Sequence, residues 1–203
     1  MQGQLWIVAA PSGGGKTSLI AEAVRVLDDV VESVSHTTRA ARPGEIEGVH
    51  YFFVAPSEFQ AMIDADGFLE YAQVFHNAYG TAAASVDALL AAGKDVILSI
   101  DWQGAQQVMR RRPETRTVFL LPPSLDVLRE RLTTRGQDNA AVVAQRMAEA
   151  EEQISHYREF EFVIVNADFQ RAASELQALI TSDRLRRARR EADLQPLLKR
   201  LGQ

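Results

Sequence analysis

The residues best suited to chemistry form one glycine-rich segment near the start of the chain. This segment reads APSGGGKTS and occupies residues 10–18, between an apolar run and a stretch with helical spacing. Consecutive glycines let the backbone turn its N–H groups inward, so that they form a nest for an anion. The N-terminus of the following helix adds free amides and its dipole at the same place. The segment therefore predicts a loop that holds the phosphates of a nucleotide.

Two side chains at the end of this loop extend the prediction to a nucleoside triphosphate and its metal ion. Lys16 can reach the β- and γ-phosphates, and the Thr17 hydroxyl can ligate Mg²⁺. The pattern usually begins with glycine, and Ala10 stands there in this chain. Alanine fits a tight turn unless φ must be positive. The predicted phosphate loop comprises Ala10, Pro11, Ser12, Gly13, Gly14, Gly15, Lys16 and Thr17.

The elements that must position this loop alternate between strands and helices. Residues 5–9 are apolar without alternation, which is typical of a strand buried on both faces, and residues 17–27 have helical spacing. Further strand candidates lie at 96–100, 117–121 and 162–165, each followed by a helical pattern. This order predicts βαβ units and a parallel sheet. We therefore expect an α/β fold with a P-loop, three-layer core.

Two segments depart from this alternation. Residues 33–81 contain short β-branched and aromatic runs separated by turn residues, with one helix around 56–65, which predicts a small, mostly antiparallel insertion. The polar stretch 133–139 lies between two helices and is a candidate lid beside the phosphate site. The helix after it has an apolar stripe of Val143, Met147, Ala150, Ile154 and Tyr157.

Five arginines have positions that suggest anion binding. Arg39 and Arg42 flank a Pro-Gly turn, and Arg131 and Arg135 stand at i and i+4 on one helical face. Like charges at this spacing repel by a few tenths of a kcal/mol, a cost that an anion between them would remove. Taken alone, the pair also fits a solvated helix end. Arg146 could equally form an ion pair with the glutamate three residues later.

Other charged and apolar patterns favour structural roles. The arginines of 110–112 and 184–190 are typical of solvated helix faces. The C-terminal segment has an amphipathic stripe, which we expect to pack on the core rather than to bind a partner. That stripe consists of Leu194, Leu197, Leu198 and Leu201.

The composition narrows the class of protein. A chain of 203 residues is one large domain or a core with inserted subdomains, and its 46% hydrophobic residues suffice for a packed core. It has no cysteine, which fits a reducing compartment.

The apolar runs are shorter than the roughly 20 residues that span a bilayer, and the N-terminus does not resemble a signal peptide. We therefore expect a cytoplasmic protein that does not contact membranes. A net charge of −5 also argues against a nucleic-acid partner.

Several other chemistries lack their sequence signals. The four histidines are scattered without metal-ligand spacing, and there is no GxSxG segment or cysteine nucleophile. No GxGxxG follows the first strand, which disfavours dinucleotide binding. An Asn-Lys-x-Asp segment, expected in a regulatory GTPase, is also absent from the sequence.

The ordered motifs resemble those of guanylate kinases over nearly the whole chain, from about residue 3 to 190. They read APSGGGKTS, SHTTRAARPGEIEGVHYFF, FLEYAQVFHNAYGT, ILSIDWQGAQQV, RLTTRGQD and VIVNAD. The resemblance implies a core of residues 1–34, 95–130 and 159–203. It also implies a GMP-binding insertion of residues 35–94 and a lid of residues 131–158. The implied reaction is the Mg²⁺-dependent transfer of phosphate from ATP to GMP.

The resemblance also implies roles for individual residues. Catalytic roles fall on Lys16, Arg131, Arg135 and Arg146, and Asn166 corresponds to a residue near the adenine of ATP. The residues implied to bind the phosphate of GMP are Ser35, Arg39, Arg42, Tyr51 and Tyr79. Guanine recognition falls on Glu70, Thr81 and Asp101. The carboxylates can accept from guanine N1–H and N2–H₂, and the Thr81 hydroxyl can donate to O6.

This chain departs from the family pattern at three positions. Ala78 stands where a tyrosine is frequent, His76 where glycine is usual, and Ser99 where an aspartate is frequent. The Ser99 departure removes a carboxylate beside Asp101. Two other functions remain open at this point: a catalytically inactive guanylate-kinase-like binding module, and a related P-loop kinase with another acceptor. The sequence also leaves open whether the chain forms a homo-oligomer.

Overall fold

The computed structural model describes residues 3–74, 76–135 and 140–202, apart from the side chains of residues 135 and 140–142. In chain order the elements are β1 (Leu5–Ala9), α1 (Lys16–Val26), β2 (Val30–Glu32), β3 (His36–Thr37), β4 (Phe52–Phe53), α2 (Pro56–Asp64), β5 (Phe68–Val74), β6 (Asn77–Ala82), α3 (Ala83–Ala91), β7 (Asp95–Ser99), α4 (Trp102–Arg111), β8 (Arg116–Leu121), α5 (Leu125–Arg135), α6 (Ala140–Ser155), a 3₁₀ turn (His156–Glu159), β9 (Phe162–Val165), α7 (Phe169–Arg184) and α8 (Arg187–Arg200). No helix in the described ranges is long and apolar enough to cross a membrane.

The core is a five-stranded parallel sheet in the order β2-β7-β1-β8-β9, with helices on both faces. Alternate residues of β1 enter opposite layers. Trp6 and Val8 pack with α1 and α7, whereas Leu5, Ile7 and Ala9 pack with α3 and α4. Both faces of β1 are therefore buried, which explains its unbroken apolar sequence. The predicted α/β fold with a three-layer core is confirmed.

The four predicted core strands are confirmed to within one residue at each end. The sequence analysis missed the fifth strand, β2, because its three residues are too few to produce a periodic signal. This strand lies at the edge of the sheet, beside β7. Its last residue, Glu32, consequently lies near the carboxyl ends of the central strands.

A second sheet, in the order β4-β3-β6-β5, forms the predicted insertion. Strand β6 pairs antiparallel with β3 and β5, whereas β3 and β4 are parallel. Helix α2 covers this sheet through Phe59, which stacks on Phe68. The insertion boundary at residue 94 stays a prediction, and α3 inside that boundary buries Val86 in the core.

The arginines of 184–190 are not all solvated, which corrects the sequence prediction. Arg184 donates through Nε to Asp95 Oδ2 at 2.7 Å, and Arg189 donates through Nη2 to Asp95 Oδ1 at 2.6 Å. Arg189 also donates to Asp183 at 2.8 Å. Asp95 and Asp183 are 1% and 6% exposed, so the arginines neutralise buried charge. Their partner Asp95 is about 90 positions away in the chain, beyond the reach of a local pattern.

The leucine stripe of α8 does not pack on the core as expected. All of α8 lies within the described residues, and none of its side chains is buried. Leu197 and Leu201 are 42% and 64% exposed. Leu194 and Leu198 are half-buried, and the first turn of α8 is joined to the core by the ion pairs of Arg189. By contrast, 110–112 lies on the surface as expected, where Arg111 and Arg112 form exposed ion pairs.

Replacement of Asp95 by asparagine is expected to lower the free energy of unfolding by about 3 kcal/mol, because two arginines would lose a buried counter-charge. Urea unfolding followed by circular dichroism measures this loss. The matched control is Glu175→Gln, whose partner Arg171 is 80% exposed, and we expect no measurable change there because water screens the pair. Equal stability of the two variants would contradict a stabilising role for the buried pairs.

Candidate active site

The glycine-rich loop joins the carboxyl end of β1 to α1. Gly13 and Gly15 have φ values of 80° and 91°, where a side chain would be strained. A Cβ on Gly14 would lie 2.9 Å from the Ala10 Cβ. Among the described residues other than glycine, positive φ occurs at Asp29 and Asp66, and not at Ala10. The departure at Ala10 is therefore compatible with the loop.

Lys16 begins α1 and lies at the centre of the site. Its Nζ donates to the Ile100 carbonyl at 2.9 Å, just after the carboxyl end of β7. Burial lowers the pKa of Lys16 to about 8, although the carboxylates of Asp101, Glu32 and Glu70 oppose this effect. A poorly hydrated ammonium group beside an anion-binding nest favours a phosphate ligand.

A cavity of about 540 Å³ opens beside the loop, between α1, α5 and the start of α7. Asn166 is buried at its wall and donates through Nδ2 to the Gly14 carbonyl at 2.9 Å. Arg131 donates through Nη2 to the Asn166 carbonyl at 3.0 Å. The Nη1 atom of Arg131 is buried without a hydrogen-bond partner in the described part of the chain. A buried, unsatisfied guanidinium nitrogen is costly, so this atom favours a ligand that accepts a hydrogen bond.

The predicted lid arginines differ in what the structure describes. Arg131 lies on α5, the Arg135 side chain lies outside the described residues, and Arg146 is half-buried on α6. Helices α5 and α6 pack together through Leu128, Leu132, Met147 and Ala150, which confirms most of the predicted apolar stripe. Gln153 accepts a hydrogen bond from the Ser12 backbone at 3.1 Å and so connects α6 to the phosphate loop.

The insertion brings together several of the residues expected to bind a phosphate. The guanidinium of Arg39 lies 5.4 Å from the ring centre of Tyr51, and that ring contacts Tyr79 edge-to-face at 5.9 Å. Ser35 and Tyr51 line one cavity of about 370 Å³ that faces the phosphate-loop residue Thr17. Arg42 is exposed.

Glu45 is a charged partner that the sequence analysis did not identify. It forms an ion pair with Arg39 at 2.8 Å and accepts a hydrogen bond from the Arg42 backbone at 2.7 Å. Arg39 and this backbone bond lower the pKa of Glu45 to about 2. A phosphate that binds Arg39 must therefore compete with a carboxylate already in place. In the sequence, the position of Glu45 just after the Pro-Gly turn was the available sign that it could contact these arginines.

Glu70 and Thr81 form a buried pair at the other end of the insertion. The Thr81 hydroxyl donates to Glu70 Oε1 at 2.5 Å, and its expected donation to guanine O6 stays a prediction. Burial raises the pKa of Glu70, and the neighbouring charge of Asp101 raises it further. Asp101 caps α4 by accepting from the Gly104 N–H at 2.9 Å. The two carboxylates therefore face one region beside Lys16.

Glu32 is a second acidic residue that the sequence analysis missed. Glu32, Ser99 and Thr17 line the cavity of about 370 Å³. Burial raises the pKa of Glu32, and interactions with the Ser99 hydroxyl and Lys16 oppose that rise. Glu32 therefore places a carboxylate beside Ser99, the position where the family resemblance implies an aspartate. The acidic end of the run VVE was the only local sign of it.

The comparisons with known proteins agree with this geometry. The family model described as guanylate kinase matches residues 2–183. Curated proteins named guanylate kinase from Hahella chejuensis and Alkalilimnicola ehrlichii are 50% and 52% identical over 201 residues. The match to the Hahella protein covers 97% of both chains, and the match to the Alkalilimnicola protein covers 99% of both chains. A crystal structure of guanylate kinase from Anaplasma phagocytophilum has a TM-score of 0.72 and 31% identity, covering 93% of this chain and 89% of its own. The chain therefore belongs to the guanylate kinase family.

Proposed function

We propose that the protein transfers the γ-phosphate of ATP to GMP and releases ADP and GDP. The observation that carries this proposal is the position of Lys16. It belongs to the phosphate loop, yet its charge interacts with Glu70 and Asp101, the carboxylates expected to recognise guanine. A donor phosphate and an acceptor nucleotide bound at these two places would meet at one ammonium group.

The donor nucleotide would occupy the cavity beside the phosphate loop. The backbone amides of residues 13–17 would hold its phosphates, and Lys16 would neutralise the charge that develops during transfer. The buried Nη1 of Arg131 gives this assignment independent support, because it needs an acceptor. We assign Arg135 and Arg146 to the same charge on family resemblance, and Asn166 to the adenine side.

The acceptor would bind across the insertion. Its phosphate would interact with Ser35, Arg39, Arg42, Tyr51 and Tyr79. Glu70 and Asp101 would accept hydrogen bonds from the guanine edge, and Thr81 would orient Glu70 through the hydroxyl contact described above. An oxygen of the GMP phosphate then attacks the γ-phosphorus in line, while the bond from that phosphorus to the β–γ bridging oxygen breaks. No protein nucleophile is needed.

A Mg²⁺ ion is part of the proposal. Within the described ranges there is no group of three or more His, Cys, Asp or Glu side chains that could hold a metal. Thr17 and Glu32 line one cavity and offer oxygen donors, which suit Mg²⁺ because this ion commonly uses substrate phosphates and water with few protein ligands. The Thr17 hydroxyl, with Glu32 nearby, would hold it through the nucleotide. When bound, the ion neutralises phosphate charge.

Because both nucleotides occur in the cytoplasm, we propose that the reaction takes place in that compartment.

A coupled assay for ADP, with ³¹P NMR of the products, tests the proposed reaction. We expect GDP and ADP in equal amounts, and ADP release without GMP that is slower by at least about 10²-fold, because a closed lid excludes water as the acceptor. Tight GMP binding without turnover would indicate a binding module instead. Turnover with another phosphorylated nucleoside or sugar, and not with GMP, would indicate a different acceptor.

A further inference from the structure

Helix α4 lies along the outer edge of β5, the edge strand of the insertion sheet. The Gln107 side chain bonds the backbone of Tyr71 in both directions. Its Oε1 accepts from the Tyr71 N–H at 3.2 Å, and its Nε2 donates to the Tyr71 carbonyl at 3.1 Å. An edge strand presents unpaired backbone groups on its outer side. The Gln107 amide therefore substitutes for a neighbouring strand at one residue.

The pairing of β5 with β6 is irregular next to this contact. Phe68 pairs with Ala82, but Glu70 pairs with Thr81, so one extra residue lies on β5 between these pairs. Such a bulge interrupts the ladder and changes the direction of nearby side chains. The direction of Glu70 consequently depends on how the strand is held just after the bulge. Tyr71 is the next residue, and Gln107 holds its outer side.

The same face of α4 approaches Glu70 directly. A Cβ on Gly104 would lie 3.1 Å from Glu70 Oε2, so the helix backbone packs closely against the carboxylate. One helical turn beyond Gln107, Arg111 forms an ion pair with Asp66 at 2.7 Å. Positions 104, 107 and 111 share one face of the helix at i, i+3 and i+7. This face contacts the insertion beside the bulge.

We propose that Gln107 is a positioning residue that fixes the Glu70 carboxylate for recognition of the 2-amino group and N1–H of guanine. This inference rests on the proposed function and goes beyond it, since it assigns a role to Gln107, whose amide bonds the Tyr71 backbone. Loss of its two hydrogen bonds frees the outer edge of β5 after the bulge. The Glu70 side chain then samples other directions, which weakens binding of the acceptor nucleotide and leaves the rate of phosphoryl transfer nearly unchanged.

The test compares Gln107→Met with Gln106→Met, which removes the neighbouring amide from the same helix. Gln106 donates instead to Glu159 at 2.8 Å, away from the insertion. For Gln107→Met we expect the KM for GMP to rise about tenfold, with kcat and the KM for ATP within about twofold, since a small displacement of a binding group has large effects. The preference in kcat/KM for GMP over inosine monophosphate, which lacks the 2-amino group, should fall about fivefold. Gln106→Met should retain both values.

A second variant and a stability measurement keep this inference testable. Gly104→Ala should lower the same GMP preference, because its methyl group pushes on Glu70 Oε2. Unchanged KM and preference in Gln107→Met, with only a lower melting temperature, would assign Gln107 a purely structural role and overturn the inference. If the wild-type protein converts GMP poorly but another acceptor well, the proposed function fails first, and this result is visible before any variant is made.

Discussion

Replacement of Lys16 by methionine is expected to lower kcat/KM for ATP and GMP by about 10³-fold, equivalent to about 4 kcal/mol of transition-state stabilisation. Methionine retains an unbranched stem of similar volume and removes the charge. The ammonium group is held at the carboxyl end of β7 by the Ile100 carbonyl, and it is poorly hydrated there. Its interaction with a phosphoryl group is consequently strong, because little water screens it.

The matched control for this substitution is Lys94→Met. Lys94 is a partly exposed lysine that forms an ion pair with Asp29 at 2.6 Å, far from the phosphate loop in the fold. Steady-state kinetics should show wild-type activity for this variant. Circular dichroism should show that both variants are folded. Activity of Lys16→Met within about tenfold of the wild type would contradict its role in charge stabilisation, for which a loss of several kcal/mol is expected.

The sequence predicts those parts of this fold that depend on local patterns. The phosphate loop is of this kind, because glycine at positive φ and the buried strand before it leave a signal within residues 5–18. The insertion is similarly visible in its short aromatic runs. Residues whose environment depends on distant partners are not predictable in this way. Glu32 looks like an ordinary polar strand end until β2 is placed beside β7.

The same limit explains the wrong prediction for the C-terminal arginines. Arg184 and Arg189 have the sequence pattern of a solvated helix, and only the fold brings Asp95 against them. The contact between the Thr81 hydroxyl and Glu70 depends in the same way on the pairing of β5 with β6, and the donation of this hydroxyl to guanine stays a prediction. In each case the sequence shows the type of the residue, but it does not show which residue that side chain contacts. The catalytic and binding assignments, including that of Arg135, stay predictions for experiment.

The largest expected effect on selectivity concerns the acceptor base and Glu70. Guanine offers two adjacent donors, N1–H and N2–H₂, to the ionised carboxylates of Glu70 and Asp101. Adenine has a bare N1 and no 2-amino group, so at these two positions it offers no donor to the buried Glu70 carboxylate, which keeps its contact with Thr81. Glu70 is only 7% exposed, and water therefore compensates it poorly. A site with unpaired polar groups of this kind can reject an analogue by about 10⁴-fold, which is the expected ratio of kcat/KM for GMP over AMP.

Glu70→Gln should reduce kcat/KM for GMP by about 10²-fold and change that for AMP little, because the isosteric amide loses the charged acceptor. Glu58→Gln, on the exposed first turn of α2, is the control and should retain the wild-type ratio.

Since burial raises the pKa of Glu70, its carboxylate becomes protonated as the pH falls through that raised value. Selectivity for GMP should therefore weaken toward acid pH in the wild type, and less so in Glu70→Gln. If AMP is phosphorylated within about tenfold of GMP at neutral pH, far from the discrimination expected of unpaired buried groups, Glu70 and Asp101 do not recognise guanine.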